Sequence, residues 1–132
     1  MRSTIHEVEE RTMKTIIAGC RDFADYPTLL KAIEEMVDWE ITEVVCGMAE
    51  GVDTMGKNWA EDNGIPVKPF PAKWHSADGG VDRSAGVRRN EGMGKYANAL
   101  LALWDGSSSG TGHMIQYALK QGLKVRIWRI DV

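Results

Sequence analysis

Three short stretches hold the residues able to do chemistry. Trp104–Met114 reads WDGSSSGTGHM, with Ser107, Ser108, Ser109 and Thr111 set among Gly106, Gly110 and Gly112. Gly47–Asp53 reads GMAEGVD, and Gly19–Phe23 reads GCRDF. The first two stretches each follow an apolar run and open a helical one. A helix N-terminus presents unpaired amide hydrogens and the positive end of its dipole. Glycine lacks the Cβ that would hold a phosphate away, and serine or threonine hydroxyls add donors. Two such junctions side by side would cradle a phosphate or a short phosphate chain, with Arg21 adding a bidentate contact. Tight turns also need glycine for geometry alone, so one loop would argue little; two loops and an arginine on one rim favour an anion site. Neither stretch is a Walker A loop, since no GK[ST] follows, and neither has GxGxxG spacing.

Beside these groups stand residues that a reaction would need. Breaking a glycosidic or phosphoester bond calls for a placed carboxylate or a metal. Asp22 and Glu50 are acids on the same rim. His113 would supply a proton-transfer group near neutral pH or a donor to phosphate, although a lone histidine is more often a polar surface residue. Asp53 is expected to cap a helix, or more pointedly to hydrogen-bond ribose hydroxyls. Arg88 and Arg89 open a glycine-weakened helix, where a solvated face and a swing onto a bound phosphate weigh evenly. Trp74 and Trp104 end strands, where an indole stacks on a base or, more often, wedges against a helix. Cys20 and Cys46 each close a strand and read as reduced, half-buried thiols. Without a CxxC or Cys/His cluster, no metal site is expected.

The frame that must position these residues is legible from periodicity. KTIIAGC (14–20), ITEVVCG (41–47), IPVKPF (65–70), ALLALW (99–104) and KVRIWRI (124–130) read as strands. Between them, PTLLKAIEEMV (27–37), DTMGKNWAEDNG (53–64), SAGVRRNEGMGKYA (84–97) and TGHMIQYALKQG (111–122) read as helices. The third of these is weakened by Gly92 and Gly94, and WHSADGGVD (74–82) before it reads as a loop. Such alternation predicts an α/β fold: an open, doubly wound, Rossmann-like parallel sheet of about five strands with helices on both faces. Ligands bind such sheets outside the carboxyl ends of the strands, near the point where strand order reverses. The glycine loops gather on that rim. Residues 1–13 show no period and read as an arm, with Ile5, Val8 and Met13 capping an edge or touching a second subunit of a homo-oligomer. Residues 14–132 read as one domain.

Composition narrows the function further. The chain has 132 residues, 43% hydrophobic and 27% charged, which suits one globular domain with a real core. No apolar run nears the ~20 residues of a membrane span, and MRSTIHEVEERTMK lacks an apolar signal core. A cytoplasmic protein without membrane contact is expected. The net charge of −3 is uneven: residues 1–62 carry six basic and fourteen acidic side chains, whereas residues 68–95 carry six basic and three acidic ones. A local basic segment in an acidic chain suits a small phosphate-containing ligand better than duplex DNA.

IIAGCRDF, GMAEGVDTMGKNWAEDNGIPVKPFPAKW, AGVRRNEGM and ALLALWDGSSSGTGHMIQYALKQGLKVRI, in that order from about Lys14 to Ile130, resemble the small YspA-like branch of the SLOG superfamily. That superfamily also holds the DNA-processing protein DprA and the LOG cytokinin-activating hydrolases. The resemblance implies a Rossmann-like domain that senses or carries a nucleotide or nucleotide derivative at the glycine rim, with no further cofactor. By position it implies ligand contacts from Gly19, Arg21 and Asp22, from Gly47, Gly51 and Asp53, from Arg89 and Asn90, and from Asp105, Gly106, Ser109, Gly110 and Thr111. Ser107 and Ser108 complete the last loop. Two departures stand out. Cys46-Gly47 occupies a place where many relatives have paired glycines. LOG hydrolases carry PGGxGTxxE, whose glutamate helps break the N-glycosidic bond; here Met114 stands at that position and the proline is absent. A thioether transfers no proton, so binding is the first expectation. A LOG-type nucleotide N-glycosidase is the alternative, and DprA-like single-stranded DNA binding a second.

Overall fold

Strand and helix alternate along the chain in the computed structural model, which describes residues 12–75, 79–82 and 84–131. The elements are β1 (Lys14–Gly19), α1 (Tyr26–Met36), β2 (Glu43–Cys46), α2 (Val52–Asp62), β3 (Val67–Pro69), α3 (Ala85–Tyr96), β4 (Ala99–Trp104), α4 (Ser109–Lys120) and β5 (Lys124–Arg129). All five strands run parallel in the order β3-β2-β1-β4-β5. This is the expected open α/β Rossmann-like sheet. The chain leaves β1 towards β2 and β3 on one side, then returns to lay β4 and β5 on the other. Strand order therefore reverses between β1 and β4, and a crevice opens above their carboxyl ends.

The period of two along the strands sorts the core into two layers. Ile17, Val44, Leu101 and Leu103 face α1 and α2, where Leu29, Ala32, Val52, Met55 and Ala60 meet them. Ile16, Val45, Leu100 and Ala102 face α3 and α4, where Met93, Met114, Ile115 and Ala118 meet them. Ile16, Leu100 and Leu101 are fully covered, and helices on both sides make their strands continuous apolar runs, as a parallel sheet requires. Edge strand β3 is short and ends in Pro69, whose missing N–H an edge tolerates.

Several local expectations shift. The first helix begins one residue earlier than read: Asp25 caps α1, its carboxylate accepting from the Thr28 amide, and Pro27 stands in the first turn. Cys20 and Cys46 are buried, not half-buried, because each closes a central strand beneath a helix. Asp53 is not the cap of α2: Gly51 holds that place, at φ 71°, and Asp53 is the second helical residue with its side chain buried. Of the arm expected over 1–13, only Thr12 and Met13 fall among the described residues. Met13 pairs with Thr42 through both backbone and side chain. Part of the loop at 74–82 is described as well, where His75 and Val81 form an antiparallel bridge. Among the described residues no helix is long and apolar enough to cross a membrane.

Gly94 has a packing role. A Cβ there would lie 2.5 Å from the ring of Tyr117 on α4, so the glycine sets how closely α3 and α4 approach. Alanine would improve helix propensity by about 1 kcal/mol, but overpacking costs about 1–3 kcal/mol. Gly94→Ala is expected to be net destabilising by about 1–2 kcal/mol in urea unfolding; a more stable variant would refute this assignment.

Candidate functional site

A cavity of about 750 Å³ occupies the crevice above β1 and β4, between α3 and the start of α4. That size suits a small organic ligand. Its walls come from five places: Ala18–Asp22 at the end of β1, Ala49 and Asp53 around the start of α2, Trp74, the face of α3 that carries Gly86, Val87, Arg89, Asn90 and Met93, and Asp105, Ser108–Thr111, His113 and Met114 after β4.

The turn into α4 is built around one carboxylate. Asp105 Oδ1 accepts from the Ser107 amide at 2.9 Å and the Ser108 amide at 2.7 Å, and Oδ2 accepts from the Ser108 hydroxyl at 2.9 Å. The Ser108 amide first, then the Ser107 amide and the Ser108 hydroxyl, hold the Asp105 carboxyl down from 3.8 to about 2. Cys20 Sγ lies 3.2 Å from the same Ser108 oxygen. Ser108 is the N-cap residue of α4, yet its side chain makes no capping bond. The first helical amide to find a backbone partner is that of Gly112, on Ser108 O at 3.0 Å. The amide hydrogens of Ser109, Gly110 and Thr111 meet no acceptor among the described residues, and all three residues line the cavity.

The turn into α2 is different. Three of its amides are used by the protein: Val52 N–H reaches Cys20 O, Met48 N–H reaches Cys46 Sγ, and Ala49 N–H reaches Asp53 Oδ2 at 3.3 Å; those of Asp53 and Thr54 meet no acceptor among the described residues. The Asp53 carboxylate thus sits where an anion was expected. Burial pushes its pKa up, only partly offset by the amides of Ala49 and Gly19 and the charges of Arg89 and Arg21. The two junctions differ in degree: three first-turn residues of α4 line the cavity with their amides open, whereas at α2 the buried Asp53 carboxyl occupies the space beside Gly47.

A network led by Arg89 ties these loops to α3. Arg89 Nη1 donates to Gly47 O at 2.7 Å and Nε to Asn90 Oδ1 at 3.1 Å. Buried Asn90 passes both amide hydrogens on, to Gly110 O and to His113 Nδ1, each at 3.2 Å. Arginine only donates and a carbonyl only accepts, so the amide orientation is fixed at both ends. His113 Nδ1 is then an acceptor, and the neutral ring carries its proton on Nε2. Arg88, one residue earlier, points elsewhere and pairs with Asp82 and Ser84 at the surface.

Residues 13–76 match the model of the YspA, cpYpsA-related SLOG family. That stretch, just under half of the chain, is similar to the YspA-related SLOG family. The chain's fold is similar to that of DNA processing protein A (DprA) from Streptococcus pneumoniae, with a TM-score of 0.70 and 14% identity over 92% of this chain. The match covers 52% of that chain, so this chain spans about half the length of that relative. At this identity the likeness is one of fold. Comparison with curated protein sequences finds no match.

The fold gathers Gly19, Arg21, Asp22, Asp53, Arg89, Asn90, Asp105, Ser108, Ser109, Gly110, Thr111 and His113 onto the cavity wall. Gly47, Glu50, Gly51, Gly106 and Ser107 lie off it. The role expected of the glycines also changes. A Cβ at Gly19 would strike Val52 at 2.8 Å, and one at Gly47 would meet Asp53 Oδ2 at 2.8 Å; Gly51 faces two carbonyls, and Gly106 the Arg129 guanidinium. These four glycines admit the protein's own atoms. Gly110 alone among the expected site glycines has open space where its Cβ would be. Trp104 wedges on α4, its Nε1 donating to Ser108 O at 3.0 Å. Sequence reading missed Met93, Val87 and Gly86, which form an apolar wall beside Trp74 and Met114. Met93 and Met114 belong to the core, each 1% exposed, yet border the cavity. Among the described residues no group of three or more His, Cys, Asp and Glu is placed to hold a metal ion.

Two measurements check this geometry. Asp105 has a folded-state pKa below its unfolded value near 4, so its contribution to stability is present above pH ~4 and is lost as pH falls through about 2. Asp105→Asn is expected to lower the denaturation midpoint at pH 7 and to converge on the wild type near pH 2; a gap unchanged with pH would argue against the carboxylate's role. For His113, ring ¹⁵N NMR is expected to report the Nε2–H tautomer, and Asn90→Ala to yield a mixture. A dominant Nδ1–H form in the wild type would contradict the network.

Proposed function

We propose that this domain binds a nucleotide or nucleotide-derived small ligand in the crevice cavity, with a phosphate seated on the first turn of α4. One observation carries the reading. Ser108 holds the N-cap position but gives its hydroxyl to Asp105, so three consecutive amides at the cavity wall are left for a ligand. An anion there gains both the amide hydrogen bonds and the positive end of the helix dipole. Arg21 and Arg89 supply positive charge on the facing wall. The apolar surface of Trp74, Val87 and Met93 suits a base or sugar face. The SLOG family match supports nucleotide-type ligands, and DprA-like nucleic-acid binding would draw on the same phosphate contacts.

Binding without turnover is the form we favour. Asp105 is held as an anion by its three donors, and Met114 lines the wall where the LOG hydrolases have glutamate. Asp22 and His113 remain at the cavity as candidate proton-transfer groups, and incubation with nucleoside monophosphates followed by a search for released base tests them. Glu50 is exposed and off the wall. Single-stranded DNA binding would show steep salt dependence and stacking on several aromatic rings; the described cavity wall offers the rings of Trp74 and His113.

Isothermal titration with nucleoside monophosphates, diphosphates and cyclic nucleotides tests the main reading, and silence across the whole set would sink it. A substitution sharpens the test. At Gly110 a methyl group would meet no protein atom within 4 Å, so Gly110→Ala is expected to stabilise the fold by about 0.5–1 kcal/mol. On this cavity-lining residue the same methyl is expected to crowd the phosphate and weaken nucleotide binding about tenfold, the equivalent of ~1.4 kcal/mol. A variant that is more stable and binds undiminished would place the phosphate elsewhere.

A further inference from the structure

The crevice cavity does not end at its two arginines. Beyond them lies a second cavity of about 230 Å³ that shares four wall residues with the first: Arg21, Ala49, Trp74 and Arg89. Its remaining lining is Gly47 and the apolar side chains of Met48, Pro71 and Ala72. Both cations therefore stand at the neck between two spaces and not at the end of either. The open amides of α4 border only the larger space. Negative oxygens thus have two separate places to go, one at the helix start and one in the neck.

The smaller space is also shaped by residues whose state is unusual. Met48 is the one described non-glycine residue with positive φ, at 62°, and its side chain is 46% exposed. Trp74 across from it is 40% exposed. Large apolar side chains left in water, one of them on a disfavoured backbone, are typical of ligand clamps. A terminal phosphate held by Arg21 and Arg89 would leave this compartment empty. A phosphate with organic groups on both sides would fill it.

Resting on the nucleotide reading above, we propose that the small cavity is a second compartment of the same site. The ligand class is a nucleoside diphosphate esterified to a further sugar or ring. The diphosphate spans from the α4 amides to the neck between Arg21 and Arg89, and the further group lies against Met48, Pro71 and Trp74.

The test compares ADP, GDP and UDP with ADP-ribose, GDP-mannose and UDP-glucose by isothermal titration. At least one extended compound is expected to bind about tenfold more tightly than its parent diphosphate. Ala72→Phe, which fills only the small compartment, is expected to remove that advantage and leave the parent within about twofold. Met48→Gly guards against a misfolded plug: it relieves the positive φ, so the melting temperature is expected to rise while the advantage falls. Extended compounds no better than their parents, or an advantage that survives both variants, would overturn the second compartment and leave the nucleotide reading standing. Binding by neither series would overturn both.

Discussion

The bond between the Asp105 carboxylate and Ser108 decides what the rim of this sheet can do. Serine at an N-cap ordinarily accepts a hydrogen bond from a first-turn amide and closes the helix end. Here its hydroxyl donates to Asp105, and the same carboxylate gathers the amides of Ser107 and Ser108. The turn is rigid because one anion organises three donors, and the helix start behind it is open for the same reason. Asp105 is itself negative, yet its charge is spent on the turn and lies before the helix. A ligand oxygen on Ser109–Thr111 would meet the next set of donors along the chain.

The two glycine-bearing junctions resemble each other in sequence and differ in electrostatics. At α2 the protein supplies its own anion: Asp53 takes the Ala49 amide, lies against Gly47, and faces Arg89 and Arg21. This internal carboxyl lies in the field of both arginines, while Arg89 is anchored on Gly47 O and Asn90. Through Asn90 the same arginine reaches Gly110 and His113 on the other junction. Loops that are far apart in sequence thus share one polar network, with α3 as its middle. That explains why α3, the weakest helix by propensity, is the one that carries the linking side chains.

The architecture was legible because strand burial and helix spacing speak directly in a doubly wound sheet. Ile16-Ile17 and Leu100-Leu101 are apolar pairs whose members face opposite layers, and only a sheet covered on both sides asks for that. The position of the site followed from topology. The roles within it were harder to read. Glycine in a loop signals close approach, but the sequence does not say by what; at Gly19, Gly47, Gly51 and Gly106 the visitor is the protein itself. Arg88 and Arg89 look equivalent on paper and lie about 100° apart on the helix, which sends one to solvent and the other to the cavity. Asp53 passes for a cap because aspartate is among the favoured N-cap residues, and here the glycine at φ 71° takes the cap. Ser108 spends its hydroxyl on a partner that no local motif announces.

The rim also concentrates features that weaken a fold. Burial raises the pKa of Asp53 on folding, so its contribution to stability is present below pH ~4 and is lost as pH rises through the folded value. Met48 adopts a backbone conformation that glycine would hold more easily. Three amides of α4 go without a protein partner. None of these is repaired locally, although a capping side chain, an asparagine or a glycine would each do it. They are carried instead by the two covered core layers below, where Ile16, Leu29, Val44, Val45, Leu100 and Leu101 are sealed from solvent. A stable sheet with its unsatisfied groups gathered at the one crevice its topology opens is the arrangement expected where the missing partner is a ligand.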